Sequence, residues 1–207
     1  MTLLYRLLLL AWPVTCLLAA DDFPPAGFTE MSSGESPRGT FKIIHFKRDP
    51  KDFSSESQVW LEALKLEFKT QLLFKHENRA GWLISEDEEF IAINHHAGSG
   101  DGLLHLFARG KDGLFREKPK DFREAACKLM TAQLKLKKEP GFDHEYCYAD
   151  AWLRDGYLLG HLEGNYSGVH FLDEWYFIYD MKSDRFSWDL SKINRGAFQL
   201  MKPQKKP

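Results

Sequence analysis

The chain has 207 residues, with 28 Lys and Arg against 30 Asp and Glu, a formal charge of −2, and 43% hydrophobic residues. So even a charge balance argues against a nucleic acid partner. The length suits a single domain able to bury its own core without a disulfide framework.

Residues 1–6 carry one positive side chain, Arg6, and 7–20 are apolar or small apart from Thr15, running directly into Asp21 and Asp22. That layout predicts a secretory signal peptide over 1–20, cleaved after Ala20. The apolar run is shorter than the roughly 20 residues a membrane-spanning helix needs, and Pro13 interrupts it. Val14-Thr15 fits poorly as the lead-in to a lipidated cysteine, so anchoring through Cys16 is not expected. The mature chain is therefore expected to be exported, periplasmic or secreted, with no later membrane span. Its loss of Arg6 and of no acidic residue leaves it slightly more acidic.

Residues 21–39 are rich in Pro, Gly, Ser and acids with little periodicity, and read as a flexible leader to one domain over 40–198. From 41 onward, short apolar or alternating runs at 41–46, 59–66, 68–74, 82–84, 90–93, 103–107 and 114–115 predict successive strands. The stretch 59–74 admits a helix, but Leu64, Leu66 and Phe68 alternate with Lys65 and Glu67, which favours two strands. One helix is predicted near 121–137. Asp121 caps it, Glu124 sits three residues on, and Phe122, Ala126, Leu129, Met130 and Leu134 form one stripe. Lys135, Lys137 and Lys138 suit the end of that helix and its dipole better than a binding patch. Strands resume at 146–153, 157–162, 175–180 and 186–190, with Asp155-Gly156 as a hairpin turn. Residues 199–207 read as a basic tail. The fold class is thus mainly β, as antiparallel meanders or stacked sheets, with one packed helix.

A weak internal repeat runs through this pattern. Trp82-Leu83, an acidic turn, the strand from Phe90, a Gly/Ser loop, then Leu103 and Phe115 are matched by Trp152-Leu153, the Asp155-Gly156 turn, the strand from Tyr157, a loop with Gly164 and Ser167-Gly168, then Trp175 and Phe186. The stretch 82–93 resembles the blade signature of TolB-like and WD40-like β-propellers, with Glu86 in place of the usual Pro and Glu88 in place of the usual Gly. The hairpin around Tyr179-Asp180 resembles a blade's outer hairpin. The chain is too short for a closed ring beside its leader and helix, so the resemblance implies a partial-propeller-like open sheet that serves as a binding scaffold.

The chemistry-bearing residues gather in the two loops of this repeat. Asn94-His95-His96, followed by a glycine-rich turn to Asp101, and His161 with Glu163 form the candidate binding set: His95, His96, Asp101, His161 and Glu163. If both loops emerge on one edge, these groups converge. Neighbouring histidines on a strand point to opposite faces, so His95 and His96 cannot act together unless the strand ends at Asn94. The plainer reading is a polar turn with solvated or hydrogen-bonded histidines. No nucleophile elbow, Walker loop, zinc-protease helix or zinc-ribbon spacing occurs, so neither a metal nor a catalytic residue is assigned and the cofactor stays open. Asp143-His144-Glu145 reads as a solvated connection. Cys127 and Cys147 admit a disulfide, the alternative being two separately buried thiols. The function expected is a non-enzymatic binding protein for a protein or small-molecule ligand. The alternatives are a metal- or His/carboxylate-dependent hydrolase and a structural envelope component.

Overall fold

The computed structural model describes residues 22–98, 100–137, 139, 141–166, 170–187, 189–194 and 198–200. The expected signal peptide, residues 201–207 of the expected tail, and the Ser167-Gly168 turn lie outside these residues.

Four strands come first: β1 (Thr29–Glu35), β2 (Phe41–Lys47), β3 (Ser57–Ala63) and β4 (Gln71–His76) form an antiparallel sheet in chain order. The larger sheet holds two antiparallel runs. The first contains β5 (Arg79–Ile84), β6 (Phe90–His96), β7 (Asp101–Arg109) and β8 (Phe115–Glu117). The second contains β9 (His144–Trp152), β10 (Tyr157–Tyr166), β11 (His170–Asp180) and β12 (Arg185–Ser187), with β13 (Phe198–Leu200) also on β11. The helix α1 (Phe122–Gln133) connects the runs, which meet in one short parallel pairing of β7 with β9. The protein is thus mainly β with a single helix among the described residues. Each half of the sequence repeat falls on one of the two runs.

Alternation along β6 and β7 gives this part of the sheet two buried faces. Ile91, Ile93 and Phe107 meet Phe41, Ile43, Val59, Leu61 and Phe68 from the small sheet and its β3–β4 connection. Ala92, Leu104 and Leu106 look the other way, into a core with Phe122, Ala126 and Met130 of the helix and Leu158, Trp175, Phe177 and Tyr179 of the second run. A buried apolar side chain of this size contributes about 1.5–3 kcal/mol of transfer free energy, so both seams are strongly driven. Beyond its pairing with β7, β9 passes β6 and β5. The Asn94 amide donates to the Ala149 carbonyl and accepts from its N–H, both at 2.8 Å, and the Trp152 indole donates to the Leu83 carbonyl at 3.0 Å.

Part of the segment read as a leader is structured. Phe23 and Phe28 cover Ile44, Phe46 and Trp60 on the outer face of the small sheet, and β1 is hydrogen-bonded along β2. β1 is almost wholly exposed, its one large apolar side chain, Met31, included; backbone bonding and the Glu30–Lys42 ion pair hold it, and no apolar period marks it. At the other end, Gln199 and Leu200 of the expected tail belong to β13. The helix starts as expected, Asp121 accepting from the Glu124 N–H at 2.9 Å, but stops at Gln133. Lys135 has φ +54°, Leu136 N–H donates to the Thr131 carbonyl and Lys135 N–H to that of Ala132, the paired bonds of a left-handed helix stop, here with Lys where Gly is usual. Glu88, where the blade signature has Gly, does take a left-handed conformation, φ +60°. It is buried, and its carboxylate accepts from the Arg38 N–H and the Thr40 hydroxyl, tying the β1–β2 turn to the large sheet.

Candidate functional site

β6 continues through His96, so His95 and His96 fall on opposite faces. His96 is exposed, and its Nε2 lies in hydrogen-bond contact with the Tyr148 hydroxyl, 3.1 Å away. Tyr148 and Tyr146 alternate outward along β9, their rings 5.6 and 5.8 Å from that of His96. Burial, with Tyr146 and Glu163 nearby, pushes the Tyr148 hydroxyl up to about 12, so near neutral pH it is a neutral phenol. Arg79, Ala80, Gly81, Asn94, His96 and Tyr148 line a cleft of about 300 Å³.

His161 lies on β10 directly between Tyr148 of β9 and Tyr176 of β11, its ring 6.0 Å from each. Asp150 is the extra residue of a β-bulge, since Leu159 pairs with Ala151 and the next residue, Gly160, with Ala149. A bulge re-aims a side chain, and here both Asp150 carboxylate oxygens lie 2.9 Å from His161 Nδ1. The imidazole is thereby held in one orientation. The Tyr176 hydroxyl donates to Glu174 at 2.6 Å. The outer face of β9–β11 therefore carries a row of rings, Tyr146, Tyr148, His161 and Tyr176, leading away from the cleft.

The five residues singled out in the sequence are divided by the fold. His96 and His161 reach the same tyrosine, Tyr148, from two sides, and Glu163 pairs in register with Tyr146. Asp101 is engaged by Arg123 of the helix at 3.1 Å. His95 faces the small sheet, where its ring lies 5.4 Å from His76 and 5.7 Å from His105. Among the described residues no three His, Cys, Asp or Glu side chains are placed to hold a metal ion.

Cys127 and Cys147 are free, buried thiols rather than a disulfide. Cys127 donates to Glu145, whose carboxyl is itself raised by burial; burial and that carboxylate push the Cys127 thiol far above its usual range. Such a thiol is a packing group and not a nucleophile.

Sequence reasoning missed Tyr148, Asp150, Asn94 and Arg79. The outward alternation of Tyr146, Tyr148 and Asp150 was available as a signal. The bulge that turns Asp150 and the crossing that brings Asn94 to β9 left none.

Among the described residues the protein is thus a two-sheet β structure with one α-helix and an open cleft at one strand end. No protein-family model matches the chain, and neither the curated proteins nor the solved structures contain a significant match.

Proposed function

We propose that this chain is an exported, non-enzymatic binding protein that takes a small polar ligand in the cleft beside His96 and Tyr148. The observation carrying this reading is the convergence of Arg79, Asn94, His96 and Tyr148 around one concavity at the lower end of the size range of ligand sites. Arg79 supplies a positive charge and five N–H donors, Tyr148 a ring face with its hydroxyl already oriented, and His96 an exposed imidazole. This set favours a small carboxylate or a hydroxylated, ring-shaped molecule. Export rests on the apolar N-terminal segment.

The His161–Asp150 pair favours a second reading, a hydrolase, because a carboxylate orienting an imidazole is how a general base is held. Both cysteines belong to the inner core and are unsuited to serve as its nucleophile.

Titration calorimetry of the chain against amino acids, small di- and tricarboxylates and mono- and disaccharides tests the first reading. Saturable binding that weakens about tenfold, some 1.4 kcal/mol, in Arg79→Ala and Tyr148→Ala is expected. Absence of binding across the panel, combined with ester hydrolysis abolished by His161→Ala, would transfer the assignment to the second reading.

A further inference from the structure

Four histidines from four strands form a continuous row in the seam between the sheets. His45 of β2 stacks on His76 of β4 at 5.2 Å, His76 meets His95 of β6 at 5.4 Å, and His95 meets His105 of β7 at 5.7 Å. Phe74 packs against the last three, 4.3 Å from His105. One ring nitrogen of each, His45 Nε2, His76 Nε2, His95 Nδ1 and His105 Nε2, is buried with no hydrogen-bond partner. The second nitrogens of His76 and His95 both approach one acceptor, the Glu77 carbonyl, at 3.1 and 3.3 Å, and His105 Nδ1 lies 2.7 Å from Glu117. A neutral imidazole tolerates a buried nitrogen lone pair; an imidazolium places a charged donor there with nothing to accept it.

We propose that this row is an acid-sensitive lock between the two sheets: closed while the rings are neutral, and opened by proton uptake so that the small sheet β1–β4 separates from β5–β7.

The surroundings favour the neutral row. The rings of the row disfavour one another's protonation, His45 and His95 that of His76 and His105 that of His95, and Lys47 of β2 adds positive charge near His45 and His76. Glu117 of β8 opposes them at one end only, on His105. The residues paired with the row across the strands are uncharged, Ser32 of β1 and Val59 of β3 with His45, Ser57 of β3 with His76, and Ala80 of β5 with His95. Burial first, then these neighbours, depresses His45, His76 and His95 below the usual 6.5, His76 to about 4, while the Glu77 carbonyl works the other way on His76 and His95. An opened seam takes up protons that the closed one refuses. The stability of the closed seam is therefore present above pH 6.5 and is lost as pH falls from there toward about 4.

Amide hydrogen exchange of the whole chain at pH 7.5 and 5.0, corrected for the intrinsic rate, tests this. The opening constant for β2–β4 is expected to rise about tenfold per pH unit for each extra proton bound, with β9–β11 unchanged. His76→Phe, which keeps a ring in the stack and removes its titration, is expected to flatten that dependence. Equal protection of β2–β4 at both pH values, parallel loss in β9–β11, or an unaltered dependence in His76→Phe would overturn the proposal. Should His76→Phe not fold, NMR of the histidine rings in the unsubstituted chain decides. Neutral-form resonances of His45, His76 and His95 persisting below pH 6 support the lock, and titration of all three near 6.5 overturns it.

Discussion

His95 and His96 are adjacent in sequence, chemically identical, and placed in opposite surroundings by one step of a β-strand. His95 enters a seam closed by the small sheet, shares the Glu77 carbonyl with His76 and has a second nitrogen without a partner. His96 stands in the open beside Tyr148 and Arg79. The period of two along a strand makes neighbours into strangers. What a histidine does is then decided by what covers its face. Over β6 and β7 that cover is a sheet on one side. On the other side it is a helix and a crossing strand, which leave a gap at the strand end where His96 lies.

Substitution by lysine separates the two environments most strongly. In His95→Lys a charge enters the seam beside three imidazoles and Lys47, and a loss of about 3 kcal/mol is expected in urea unfolding at pH 7.5. His96→Lys is expected to stay within about 0.5 kcal/mol of the parent, since its side chain projects into water. Similar losses for both would dissolve the distinction.

A smaller effect probes the open side from beneath. The Cβ of Gly102→Ala would lie 2.5 Å from the Tyr148 ring and hydroxyl and 2.7 Å from the Tyr146 ring, so both rings must shift. A cost of about 1–2 kcal/mol is expected from this overpacking, together with weaker ligand binding in the cleft. Unchanged stability would show that the tyrosines are not held where the cleft needs them.

The sequence revealed local structure far better than it revealed neighbours. Most strand runs and the helix start were legible because alternation, capping and the apolar stripe are properties of a few consecutive residues, but the alternation at 64–68 falls in the β3–β4 connection, where Leu64 and Leu66 are exposed. The Asp155-Gly156 turn was legible for the same reason, and the structure places a 3₁₀ turn there with Gly156 at φ +82°. β1 was not legible, because an exposed edge strand with no apolar alternation is held mainly by its backbone partners. The helix end was set by Lys135 in a left-handed conformation that its side chain does not announce. Of the candidate site, the repeat placed His96 and His161 in corresponding loops. It could not show that a tyrosine from a third strand would come between them. The histidine row was hidden altogether, because His45, His76, His95 and His105 are spread over 61 residues and meet only once two sheets pack.

The central claim, that one strand carries one histidine into the seam between the sheets and the next into an open cleft, is tested most directly by acylating the native chain with diethyl pyrocarbonate at pH 7.5 and following each histidine by mass spectrometry. His96 is predicted to react at about the rate of a free imidazole, with His95 and His76 slower by about two orders of magnitude, as expected of groups reached only through opening of the seam. Reaction of His95 and His76 at the rate of His96 would contradict the account.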